Sequence, residues 1–240
     1  MKFIWDTFIY EPIYNSLIFI AQHVSLKDVG LAVVIVTIII RLILSPLSKK
    51  SILSQYKMRA LEPQIAAIKA RGLSKEEEAK ETFALYRAEK INPFSGCLYI
   101  LIQLPILFAL YYVFIRGIYQ PDHLYAALST ENLKNTFLGL IDITKPFLPL
   151  AILAGVTQAV QAFLAPKPPA PTGNEKGFQA QLTKSLSVQT RYILPIIIIF
   201  IANTLASAVA LYWTVANLFS IGQELYFRRT LRAKHEPKVV

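Results

Sequence analysis

Between Val29 and Leu47 the chain reads VGLAVVIVTIIIRLILSPL, an apolar run broken by one charge, Arg41. About 19 helical residues rising ~1.5 Å each cover roughly 28 Å, close to the ~30 Å of a bilayer's hydrocarbon core. The run is long enough to cross a membrane, yet an arginine buried in hydrocarbon costs from about 3 to above ~10 kcal/mol. Thr37 and Ser45 lie four residues to either side of Arg41, so all three share one helix face. Either that face lines a wet cavity, or Arg41 snorkels toward the headgroups beside Lys49 and Lys50, about 12 Å further along the helix. The segment alone leaves both open.

Composition puts this run in a polytopic membrane protein. A chain of 240 residues that is 54% hydrophobic and only 17% charged is too apolar for an ordinary soluble domain. A net charge of +10 would point to nucleic acid in a soluble protein. Here the placement of the charges matters more, and no specific nucleic-acid sequence is expected as a partner. Cys97 is the one cysteine, which excludes an intramolecular disulfide and a cysteine-built metal site. The N-terminus shows no basic leader and no small-residue cleavage site, so no cleaved signal peptide is expected.

Residues 1–24 alternate aromatic and aliphatic side chains with Thr7, Glu11, Asn15 and Gln22 on one helical face. This predicts an extracytoplasmic amphipathic helix in the interface, with Trp5, Tyr10 and Tyr14 at headgroup depth, a short extra span being the alternative. After the first span, 29–47, residues 48–92 form a charged cytoplasmic stretch divided by Gly72, and Ser74 with Glu77 spells a capping box. Two antiparallel helices are expected there, packing Leu61, Ile65 and Ile68 against Phe83 and Leu85. The second span, 93–115, contains Gln103 and Pro105. The loop 116–145, with three basic and three acidic residues, is expected outside.

The third span, 146–165, ends in Thr157, Gln158 and Gln161, and the Pro- and Gly-rich stretch 166–190 is expected as a flexible cytoplasmic loop. Tyr192 to Leu225 would make a single helix of roughly 50 Å, too long for one crossing. It divides into spans 191–204 and 207–225 turning near Asn203 to Ser207. Along the last span Trp213, Asn217, Ser220 and Glu224 follow at four, three and four, with Glu224 near the inner boundary and expected to be interfacial. The basic tail 226–240 is expected to be disordered. This topology places nineteen of twenty-five basic residues inside, five outside and Arg41 in the membrane. The bias predicts five spans, an external N-terminus and a cytoplasmic C-terminus.

Several stretches together, RLILSPLSKKS, KMRALEPQIAAIK, ALYRAEKINPFSGC running into QLPILFALYYVF, GVTQAVQ and ALYWTVANLFSIGQ, resemble the YidC-type membrane protein insertases. That family includes the mitochondrial oxidase-assembly and chloroplast Albino proteins, and the likeness covers nearly the whole chain in order. The resemblance implies an all-α fold of five transmembrane helices around a hydrophilic groove open to cytoplasm and lipid. It implies that Arg41 charges the groove, that Gln103, Gln158 and Trp213 line it, and that Thr37, Gln161, Asn217 and Ser220 are weaker candidates. The hairpin between Lys49 and Glu89 would meet substrate first. NTLASAVALYW stands where many relatives have a Pro-Gly turn, and neither a large periplasmic domain nor a lipid-attachment cysteine is expected.

The implied function is insertion and folding of nascent membrane proteins in the bacterial plasma membrane, without nucleotide hydrolysis. Expected partners are nascent membrane proteins and the lipid bilayer, with the ribosome and the Sec translocon as further candidates; the basic tail is short for strong ribosome tethering. No Walker-type loop, catalytic group, metal site or cofactor is expected, and His23, His123 and His235 neighbour no obvious nucleophile. Two rivals stand beside this. One is a small transporter or anion channel using an intramembrane arginine, against which the chain shows no internal repeat. The other is an assembly factor whose polar residues only glue helices together.

Overall fold

The computed structural model describes residues 2–92, 95–165 and 188–235. Most of the loop expected at 166–190, the start of the second span at Pro93 and the tail beyond His235 lie outside the described residues. The fold is mostly helical: α1 Lys2–Trp5, α2 Glu11–His23, α3 Val29–Ile43, α4 Ser45–Ala60, α5 Glu62–Ala70 and α6 Lys75–Ala88, then α7 Ser95–Ile115, α8 Leu148–Leu164, α9 Leu194–Thr204 and α10 Ser207–His235. π-helical turns join α1 to α2 and lead into α9. One short antiparallel hairpin, Thr136–Phe137 with Ile141–Asp142, interrupts the all-helical expectation.

Helix α8 packs on both α9 and α10, α10 packs on α3, and α2 packs on α3. The centre is filled by side chains such as Tyr14, Leu17, Val33, Leu110, Ala154 and Tyr212. The outer faces are the reverse of a soluble protein's. Ile152, Val156 and Val160 on α8 and Ile196, Phe200 and Ile201 on α9 stay exposed, far more contiguous apolar surface than water tolerates. Among the described residues no single helix is long and apolar enough to cross a membrane. The pair α3–α4 passes by length and composition, although it is bent by 60°.

That bend corrects the straight helix implied by the run to Leu47. Pro46 sits in the first turn of α4, where its missing N–H costs nothing at a helix start but would break a helix interior. Pro63 likewise divides the first arm of the charged hairpin into α4 and α5 after Leu61. The capping box closes as spelled, the Ser74 hydroxyl and the Glu77 carboxylate each bonding the other's backbone N–H. Hydrogen bonds from Ser74 draw the Glu77 carboxyl below its ordinary pKa. Beneath the turn, Leu61, Ile65 and Ile91 are buried with Met58, Leu85 and Tyr86, whereas Phe83 remains exposed. The hairpin core thus uses Leu85 as expected, with Tyr86 of α6 and Ile91 beyond it instead of Phe83. The basic tail continues α10 as helix to His235, against the expected disorder.

On the expected outer side, the segment 117–145 satisfies backbone groups that the helices leave open. The Val29 N–H donates to the Lys134 carbonyl, Ser207 N–H to Lys145, and Ala208 N–H to Ile143. The Asp28 carboxylate caps α3 by accepting from Leu31 N–H at 2.8 Å, and its second oxygen accepts from Gly139 N–H at 3.2 Å. Gly30 is needed beneath this hairpin, since a Cβ there would lie 2.5 Å from Phe137 Cβ. The polar face of α2 is spent on the same segment. Asn15 is buried, donating to the His123 carbonyl and accepting from Tyr125 N–H, both at 2.8 Å. Glu11 meets His123 at 3.1 Å and the Tyr14 hydroxyl donates to Ile118 O at 2.7 Å. Leu26, Lys27 and Leu138 take left-handed φ of 54°, 68° and 54° to make these turns, each at about 1–2 kcal/mol.

Asp28→Ala is expected to lower stability by about 1–2 kcal/mol, the loss of a cap and of a buried acceptor. Asp28→Asn should lose less, because its amide oxygen still accepts; thermal melting in detergent reads the difference. Gly155→Leu forces a Cβ to 2.9 Å from Pro195 O and against the Ile199 side chain. It should cost about 1–3 kcal/mol by parting α8 from α9.

Candidate functional site

The polar face of α3 meets the polar face of α10. Arg41 is 6% exposed and donates through Nη1 to Ser220 Oγ at 3.3 Å, while Ser220 donates to Ala216 O one turn back. One turn further along, Gln223 Nε2 donates to Ser45 Oγ at 2.8 Å and Ser48 Oγ donates to Gln223 Oε1 at 2.7 Å. Ser220 and Gln223, three apart on α10, thus meet Arg41 in the last turn of α3 and Ser45 and Ser48 in the first turns of α4. Toward α8, the Asn217 amide donates to Ala154 O and to Thr157 Oγ1, both at 3.3 Å.

The remaining expected groove residues are placed differently. Thr37 is buried but spends its hydroxyl on Val33 O in its own helix. Trp213 packs against the edge of the core. Gln103, Gln158 and Gln161 keep part of their surface exposed. The cluster that forms around Arg41 is therefore built by α3 and α10, with α8 joining through Asn217.

Beyond Ser220 lies a group that spacing alone did not bring out. Glu224, expected at the boundary, is 6% exposed. The Tyr56 hydroxyl of α4 donates to its carboxylate at 2.5 Å, and Arg228 Nε lies 3.4 Å away while donating to Tyr56 at 2.7 Å. The same guanidinium donates to Leu164 O, and Arg191 donates to Ala165 O at 3.1 Å. Two arginines thus fill the open carbonyls at the C-terminus of α8, the end where the helix dipole favours a cation. The i, i+4 spacing of Glu224 and Arg228 is legible in the sequence; the part of Tyr56, more than 160 residues away, is not. Among the described residues no cluster of His, Cys, Asp and Glu could hold a metal ion.

A family model described as 60Kd inner membrane protein matches residues 19–235. A membrane protein insertase YidC from Ectopseudomonas mendocina (strain ymp) is 34% identical over 236 residues, covering 98% of this chain and 36% of that protein. One from Azotobacter vinelandii is 33% identical over 230 residues, covering 95% and 36%. The chain spans about a third of the length of these curated relatives. A crystal structure described as an active YidC insertase with its first transmembrane domain resolved is 25% identical, with a TM-score of 0.59 over 90% of this chain and 46% of that one.

Arg228→Ala leaves Glu224 with Tyr56 alone and uncaps α8, and is expected to cost about 2 kcal/mol. Tyr56→Phe removes one donor, about 1 kcal/mol. Because the two side chains share Glu224, the double variant should lose less than the sum of the single ones in thermal melts.

Proposed function

Because the chain belongs to the 60Kd inner membrane protein family, we propose that it is a membrane protein insertase and chaperone of the bacterial inner membrane. Its substrates are nascent membrane proteins whose polar or acidic flanks must pass an apolar layer. The observation that carries the proposal is Arg41, buried in an apolar helix yet hydrogen-bonded to Ser220 on a polar stripe of α10. The stripe is flanked by helices whose outer faces are bare aliphatic side chains.

In this proposal five spans enclose a wet groove, with the N-terminus outside and the hairpin α4–α6 in the cytoplasm. Arg41, Thr37, Asn217 and Ser220 form its polar wall, and Gln103, Gln158, Gln161 and Trp213 lie along its approaches. Two opposite charges 4 Å apart attract by about 4 kcal/mol at an effective dielectric of ~20, against ~1 kcal/mol in water. A fixed guanidinium in such a groove therefore draws an acidic flank in. The apolar substrate segment then partitions sideways into lipid. Burial of that segment drives the step, so no nucleotide is needed. The ribosome and the Sec translocon are candidate donors of substrate.

Purified protein in liposomes, offered a single-span substrate with an acidic N-terminal flank, should protect that flank from protease above the level of empty liposomes. Equal protection would reject the insertase reading. Arg41→Ala is expected to lower protection of the acidic flank about tenfold, the equivalent of ~1.4 kcal/mol, and to leave a neutral flank nearly unchanged. Arg41→Lys should retain most of the activity, because the charge is kept. Arg41-dependent uptake of a labelled anion by the same liposomes would instead favour a transporter or channel.

A further inference from the structure

Four aliphatic side chains stand out of the fold on the side where α3 begins. Val24 and Leu26, in the turn between α2 and α3, are 55% and 87% exposed, and Leu138 and Leu140, at the tip of the hairpin, are 60% and 85% exposed. The two turns are held side by side. Asp28 accepts from Gly139 N–H between the two hairpin leucines, and Lys134 N–H donates to Lys27 O at 2.7 Å. Leu26 and Leu138 both take left-handed backbone, where Gly or Asn is the usual choice. A leucine that packs against little and strains its backbone contributes nothing to the fold's own core.

Resting on the membrane reading given above, we propose that Val24, Leu26, Leu138 and Leu140 form a ridge seated in the acyl–headgroup boundary of the outer leaflet, with Lys27 and Lys134 on anionic headgroups. Position argues for lipid: Leu26 lies three residues before α3, which with α4 forms the one helix pair among the described residues long and apolar enough to cross a membrane, by length and composition. The ridge therefore lies within a turn of where hydrocarbon should begin. Charge argues the same way. Of the carboxylates in these turns, Asp28 is held by backbone N–H groups and Asp142 by Thr144 and Lys145. Lys27 and Lys134 are exposed beside the leucines, the pairing of apolar anchors with flanking lysines that suits an anionic interface.

The test uses the full chain with Cys97 replaced by Ser and single cysteines placed for Leu26, Leu140, Asn132 or Ile39, each labelled with an environment-sensitive fluorophore and reconstituted in vesicles of zwitterionic and phosphatidylglycerol lipid. Probes at 26 and 140 should be quenched at least twofold more by lipids with a nitroxide high on the acyl chain than by aqueous iodide. The probe at Asn132, exposed on the same loop, should show the opposite order. Iodide quenching at 26 and 140 equal to that at 132 overturns the proposal. So does shielding from both quenchers, which would mean a protein partner or a second copy covers the ridge. Iodide quenching at Ile39, on the exposed face of α3, would overturn the membrane reading and the ridge with it.

Glycine variants supply a second readout that does not depend on labelling. Leu26→Gly and Leu138→Gly relieve the backbone, so melting in detergent should hold or rise, while the stabilisation gained on transfer into anionic vesicles should fall. A loss of melting temperature in detergent as large as that in vesicles would show a packing role and overturn the proposal.

Discussion

A guanidinium inside an apolar helix sets the terms for the helices around it. Arg41 cannot face hydrocarbon without a cost of several kcal/mol, so α3 must turn that side toward a helix that offers oxygen. Ser220 does so, and beyond the bend Ser45 and Ser48 of α4 meet Gln223 of the same helix α10. Helix α10 turns a further polar residue, Asn217, to α8. The contacts that shelter one charge are the contacts that assemble the bundle. Among these contacts the groups that meet are hydroxyls and amides, which hold the helices in register by hydrogen bonds.

The ends of the helices obey a second constraint, that backbone groups near a bilayer must find partners within the protein. At the expected outer end these partners are carbonyls of the loop before α8, which receive the first N–H groups of α3 and α10. At the other end they are arginine side chains, Arg191 and Arg228, which fill the last carbonyls of α8. Arg228, bonded also to Tyr56 and beside Glu224, ties the end of α10 to α4 at the start of the charged hairpin.

Much of the site was legible because helical spacing is a local code. Thr37, Arg41 and Ser45 share a face by their numbers alone, as do Asn217, Ser220 and Glu224, and Ser74 with Glu77 spells its own cap. What spacing cannot say is which face meets which. Asn15, by periodicity a polar interfacial residue, is buried against the loop at His123 and Tyr125. Phe83, by periodicity a core residue of the hairpin, is displaced by Ile91 and Tyr86. Hydropathy reads 29–47 as one straight run, whereas the helix breaks ahead of Pro46 and bends by 60°.

The sequence by itself determined that this chain is apolar and mostly helical: hydropathy, helical periodicity and proline positions are read along the chain and need no fold. The tertiary structure alone decided the pairings of Arg41 with Ser220, Tyr56 with Glu224 and Arg228, and Asp28 with the hairpin at Gly139. Each joins residues more than 100 positions apart. Such pairs depend on the angle and register at which helices meet, and those follow from side-chain packing across the contact, which local periodicity does not encode.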